Sequence, residues 1–247
     1  MLSSDPISHS DKGGVRPWLV VDIPLMGYIE ALDLQHRLVH ARHTGALQHD
    51  VILILEHPPV FTLGRRGGDE HLLVDPSFLK DRGIETHRVE RGGYITYHGP
   101  GQVVVYPIVD LNRVEWGVVD WVSSLEEVGI RVAADWGITA ERRSLNRGVW
   151  VENRKLAYIG IAVRHWITFH GMAINVDLSL EPFEWMNPCG LQGVQATSLA
   201  RELNVRVPVH RVRQQLMEHL KKECRMDILV TSLQEVEERS RGDSLPA

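Results

Sequence analysis

Between residues 148 and 178 the sequence leaves little room for anything but strands. Four apolar runs follow one another: GVWV (148–151), KLAYIGIAV (155–163), WITFHG (166–171) and MAINVDL (172–178). Each is shorter than an ordinary helix, and β-branched and aromatic residues are frequent in them. Turn-formers interrupt them at Asn153-Arg154 and near Arg164-His165. The pattern predicts a succession of antiparallel strands.

The rest of the chain must be built around that block. WLVVDI (18–23), VILILEH (51–57) and VVVYPIVDL (103–111) read as further strands, the second stopped by Pro58-Pro59. A short strand is expected over 60–64, a loop over 64–71 and a helical turn over 76–82. Residues 85–102 read as strand, turn and strand. Helical spacing of Tyr28, Ala31, Gln35 and Leu38 predicts a helix over 26–44, ended near Gly45. Val118, Trp121, Leu125, Val128 and Val132 mark an amphipathic helix over 117–136. Pro208 opens what is expected to be the last helix, with Val212, Leu216 and Leu220 on one face. Strands outnumber helices and run in succession, so the expected class is α+β, with mixed or antiparallel sheets flanked by helices. Residues 1–16 read as a disordered lead-in, 17–230 as one catalytic-sized domain, and 231–247 as a polar, fraying tail.

Bulk properties exclude several classes of function. The net charge is −5 over 247 residues, which argues against general nucleic-acid binding. No apolar run approaches the roughly 20 residues of a membrane span. The polar start has no signal-peptide core. Two cysteines, Cys189 and Cys224, build neither a disulfide framework nor a four-thiolate zinc site. His36, His40 and His43 share a helical face but lack the companions of a metal site, and no metal is expected. The expected location is the cytoplasm.

Four stretches hold residues suited to chemistry. RGGYITYHGPGQ (91–102) is glycine-rich, so backbone amides there are open to close approach by a ligand; it also suits an ordinary hairpin turn. Neither GxxxxGK[ST] nor GxGxxG occurs, so no nucleotide-binding fingerprint supports it. NRKLAYIG (153–160) places Lys155 at a strand start, where a surface lysine is the common case. FHGMAINV (169–176) sets His170-Gly171 before an apolar strand, and such a histidine is more often structural. NPCGLQG (187–193) holds Cys189 between Pro188 and Gly190. A thiol presented in such a turn suits a thiolate nucleophile, while an inert packed cysteine is the alternative. Cys224, after Lys221-Lys222-Glu223, reads as inert. No local protease signature surrounds Cys189.

In order and spacing these stretches resemble the bacterial lipoyl(octanoyl) transferases, members of the biotin/lipoate protein ligase superfamily. RGGYITYHGPGQ, GVWVENRKLAYIGI, HGMAINV and PCGLQGVQATSL each match a family motif. The resemblance spans roughly Trp18 to Leu220. It implies the biotin/lipoate protein ligase catalytic-domain fold. It also implies transfer of an octanoyl group from octanoyl-acyl carrier protein to one lysine of a lipoyl domain, in 2-oxoacid dehydrogenase complexes or the glycine-cleavage H protein. Cys189 is then the acyl-thioester nucleophile and Lys155 its acid–base partner. Arg91, Gly92, Gly93, Tyr94, Ile95, Thr96, Tyr97 and His98 are implied to line the acyl pocket and oxyanion region. So are Tyr158, Ile159 and Gly160, together with Gly171, Met172 and Ala173. No cofactor is implied, because the donor arrives activated.

Two other readings stand beside this one. An ATP-dependent lipoate or biotin ligase shares the fold and needs no cysteine. A non-catalytic carrier-protein-binding module needs neither Lys155 nor Cys189. An acidic carrier protein would require a local basic patch, and Arg65-Arg66, Arg142-Arg143, Arg147 and Arg154 are the candidates.

Overall fold

Alternate residues of β1 (Trp18–Ile23) serve two different cores. Trp18 and Val20 pack to one side, Leu19 and Val21 to the other, as a pleated strand covered on both faces requires. The computed structural model describes residues 16–143, 146–187 and 194–241. Cys189 lies outside them.

β2 (Val51–Leu55) runs parallel to β1 and antiparallel to β6 (Gln102–Ile108). β10 (Ile167–Asn175) and β9 (Arg154–Arg164) continue the sheet as an antiparallel hairpin, followed by β8 (Gly148–Val151) and β7 (Glu141–Arg142). β11 (Gln195–Ala196) pairs with the start of β9. A smaller sheet has β3 (Val60–Leu63) between β4 (Glu85–Arg88) and β5 (Ile95–His98).

One face of the large sheet is covered by α4 (Val118–Asp135) and α6 (Val209–Cys224), through Trp121, Leu125, Val128, Leu216 and Leu220. The other face carries α1 (Tyr28–Thr44), through Leu34 and Leu38. Short helices α2 (Pro76–Lys80), α3 (Leu111–Val114) and α5 (Leu199–Leu203) complete the connections. The expected α+β class, with a mixed sheet between helices, is observed.

Two expectations fail for identifiable reasons. The runs 166–171 and 172–178 were expected to form separate strands, but β10 passes straight through them. What looked like a break is a local irregularity. β10 pairs with β6 only over Met172–Asn175, and Pro107 of β6 has no N–H to continue the ladder. His170 takes a left-handed backbone there, at φ 55°. Its N–H is instead taken by the buried Gln35 of α1, at 2.7 Å. The Thr168 hydroxyl spans the remaining gap, donating to the Pro107 carbonyl (2.7 Å) and accepting from Val109 N–H (3.1 Å).

Residues 231–247 were expected to form a fraying polar tail, and α6 to be the last helix. Instead β12 (Ile228–Thr231) adds to β1 in parallel register, and α7 (Leu233–Ser240) returns over α1 and β1. Val236 carries α7: it is completely buried among the α1-side core residues. Two apolar side chains, Leu233 and Val236, among glutamates give a weak periodic signal, so tertiary packing decides the element.

Candidate active site

The glycine loop at 91–93 lies beside β9. Gly92 N–H donates to the Ile161 carbonyl at 2.9 Å. This approach depends on Gly160, where an added Cβ would stand 2.8 Å from the Gly92 carbonyl oxygen. Between this loop and the large sheet lies a cavity of about 650 Å³.

The residues singled out in sequence converge on that cavity. Arg91 to Thr96 and His98 form one side; Tyr158 to Gly160 of β9 and Gly171 to Ala173 of β10 form another; Lys155 also lines it. Tyr97 does not line it. In β5 it points to the opposite side of the strand from His98 and packs on Phe61 (5.2 Å) and Phe183 (5.7 Å). The Cys189 segment is outside the described residues.

Lys155 is 3% exposed. Its Nζ donates to Asn146 Oδ1 at 2.7 Å and sits about 5 Å from the Trp150 and Tyr158 ring centres, within cation–π range. The segment before β8 is itself held from α4. The fully buried Glu126 accepts from Gly148 N–H and from Arg147, both at 2.8 Å. Gly148 leaves space for the amine: a Cβ there, at φ 140°, would lie 2.7 Å from Lys155 Cε. The Lys155 main chain also pairs with Ala196 of β11, and its carbonyl accepts from Thr197 N–H at 3.0 Å.

Arg91 is a buried cation on the cavity wall. Its Nη2 donates to the Thr62 carbonyl (2.7 Å) and hydroxyl (2.9 Å), and its Nη1 to the Gly92 carbonyl (3.1 Å). Around it the histidines are neutral. Burial lowers His57 to about 4. Burial, aided by Arg91, lowers His170 to about 3. Burial, with His57 and Arg91, holds His98 well below the ordinary imidazole value.

Tyr28, Val104, Tyr106 and Asn146 also line the cavity and were not foreseen as site residues. Tyr106 donates its hydroxyl to His57 Nε2 at 2.8 Å. The roles are assigned because His57 Nδ1 must donate to the Met26 carbonyl, at 2.7 Å. Burial pushes the Tyr28 phenol up to about 12, so it stays a donor. Asn146 lies just before GVWV, and no local pattern marks it; its role comes from the bulged β8–β9 hairpin.

The basic candidates separate into two groups. Arg142 pairs with Glu127, Arg143 with Glu141, Arg147 with Glu126 and Arg154 with Glu202 and Glu152. Arg65 and Arg66 are exposed, and neither forms an ion pair among the described residues. Arg66 lines the cavity and stacks over Tyr94 at 5.3 Å. His36 is bonded to Glu90 (2.9 Å) and His43 stacks on His165 (3.8 Å); among the described residues no cluster suits a metal ion. Cys224 is buried at the end of α6, and burial pushes its thiol up to about 12. Among the described residues no helix is long and apolar enough to cross a membrane.

The chain is similar to known proteins over most of its length. The model of the lipoyl protein ligase A/B catalytic domain matches residues 27–221. An octanoyltransferase of Desulfotalea psychrophila is 47% identical over 200 residues, covering 80% of this chain and 90% of that one. An octanoyltransferase of Syntrophobacter fumaroxidans is 41% identical over 223 residues, covering 90% and 97%. Among solved structures, a lipoate-protein ligase A bound with ATP superposes with a TM-score of 0.71 at 14% identity, covering 92% of this chain and 93% of that one. That likeness carries the fold alone. The chain therefore belongs to the lipoyl protein ligase A/B catalytic-domain family.

Proposed function

We propose that this acyltransferase moves an octanoyl group from octanoyl-acyl carrier protein to the ε-amine of a lipoyl-domain lysine, through a thioester on Cys189. The class of activity, octanoyl transfer in lipoate biosynthesis, follows from the extended similarity to octanoyltransferases. The observation that best supports the mechanism is the placement of Lys155. It is a buried amine on the cavity wall, held by Asn146, and its strand pairs with the segment that follows Cys189.

The chemistry balances with these two groups. Cys189 thiolate attacks the donor thioester; the new C–S bond forms, the old one breaks, and the departing thiolate takes a proton from Lys155. The lysine amine then attacks the enzyme thioester. The C–N bond forms, Cys189 leaves as thiolate, and neutral Lys155 takes the amine proton. Splitting the transfer this way suits two protein substrates that use one cavity in turn. A reactive thiolate also suits a reducing compartment, the cytoplasm. The glycine-cleavage H protein and the lipoyl domains of 2-oxoacid dehydrogenases are the acceptors this chemistry fits.

The test is intact mass after exposure to octanoyl-acyl carrier protein without ATP. Wild type should gain one thioester-labile octanoyl group and Cys189→Ala none. Lipoyl-domain modification that appears only with free octanoate and ATP would instead assign a ligase.

A further inference from the structure

The amides Gln102 and Asn175 do not line the cavity, yet both are completely buried. They form a hydrogen-bonded chain whose direction is fixed at main-chain carbonyls. Asn175 Nδ2 donates to the Thr197 carbonyl at 2.8 Å, so Asn175 Oδ1 must be the atom that faces Gln102. Gln102 Nε2 donates to that Oδ1 (2.9 Å) and to the Tyr97 carbonyl (3.1 Å). Gln102 Oε1 is therefore an acceptor, and His98 Nδ1, 2.7 Å away, must carry a proton. Carbonyls cannot donate, so the chain cannot reverse.

One imidazole nitrogen remains. With Nδ1 protonated and the ring neutral, Nε2 of His98 presents a lone pair on the cavity wall. The groups around this ring are His57, Tyr28, His170 and Arg91. Arg91 is a cation, and the others are neutral. Burial and these neighbours keep His98 uncharged, so it is a poor base but a persistent hydrogen-bond acceptor.

We propose that Gln102 and Asn175 are positioning residues that fix the His98 tautomer, so that His98 Nε2 accepts a hydrogen bond from the incoming lysine amine. This rests on the two-step reading above. In that reading only the second step brings a substrate amine to the reacting carbon; the first step brings a thioester. A neutral acceptor also orients the amine without adding positive charge beside Arg91 and Lys155. His98 keeps no proton, because the amine proton passes to Lys155.

The two half-reactions separate the possibilities. Acylation by octanoyl-acyl carrier protein and transfer from the acyl-enzyme to an isolated lipoyl domain are each measured in a single turnover. Gln102→Met should slow transfer about tenfold or more, the scale of one directed hydrogen bond, and leave acylation within about twofold. Gln102→Glu still accepts from Nδ1 but draws a proton onto the ring, so transfer, and not acylation, should gain an acidic limb in its pH profile. Nitrogen NMR of wild type should show His98 protonated at Nδ1 near neutral pH. Protonation at Nε2, or equal slowing of both half-reactions in both variants, overturns the proposal. A wild type that never acylates without ATP overturns the two-step reading instead, and with it the amine's part, while the tautomer is still read by NMR.

Discussion

Lys155 Nζ donates to Asn146 Oδ1 across 2.7 Å, from β9 to the segment entering β8. Lys155 is 3% exposed, and this acceptor and the flanking rings help orient its amine. Asn146→Leu keeps the volume and removes the acceptor. It should lower the rate of octanoyl transfer about tenfold to a hundredfold, with a smaller effect on the KM for either protein substrate. Steady-state kinetics with both substrates varied checks this. A pure KM effect would mean that Asn146 serves binding alone.

Gly148 and Glu126 set the same amine from behind. A side chain at residue 148 meets Lys155 Cε at 2.7 Å and the Ala157 carbonyl at 2.4 Å, so Gly148→Val must displace both. It should abolish most activity and destabilise the fold. Glu126→Gln is the milder variant. It retains an acceptor for Gly148 N–H, gives up the charge opposite Arg147, and should cost activity several-fold. Circular dichroism melts beside the activity assay separate displacement of Lys155 from unfolding.

The buried imidazoles predict a one-sided pH dependence of stability. His57 and His170 titrate near 4 and 3 in the folded chain, and near 6.5 when unfolded. Between those values the unfolded chain binds more protons. Stability should therefore fall as pH drops below about 6.5, by up to about 1.4 kcal/mol per pH unit for each imidazole. Urea unfolding at pH 7, 6 and 5 measures the slope. His57→Gln, which keeps a side chain able to bond to the Met26 carbonyl, should flatten it by about one group's share.

Arg66 lines the cavity with Arg65 next to it in the chain, and neither has a carboxylate partner among the described residues, whereas Arg142 and Arg143 already face Glu127 and Glu141. Charge reversal at Arg65 and Arg66 should raise the KM for an acidic carrier protein several-fold and weaken its salt dependence. The same reversal at Arg142 and Arg143 should do less. Equal effects of the two pairs would locate docking elsewhere.

How far the sequence could be read depended on the range of the signal. Strong apolar runs such as 51–55 and 103–108, and the stripe through Trp121, Leu125 and Val128, have short-range periods that match the observed elements. The glycine-rich stretch and the flank of Lys155 were also visible, because a cavity wall built of closely approaching backbone needs glycines in runs. The continuity of β10 was not visible. Its left-handed residue, His170, is held by Gln35 from a distant helix, so a local reading sees a stop. Asn146, Gln102 and Asn175 carry no periodic mark either; what they do depends on partners supplied by the fold. α7 rests on Val236 and the partly buried Leu233.

The pairing of β12 with β1 has a consequence for the order in which the protein is made. β1 is synthesised well before its outer neighbour, residues 228–231. Until those residues emerge β1 must wait with an unpaired row of backbone groups, in a region of apolar side chains. Chains interrupted before β12 would retain the cavity and its residues but leave that margin open to other nascent chains. For such fragments, loss of yield should precede any loss of chemistry.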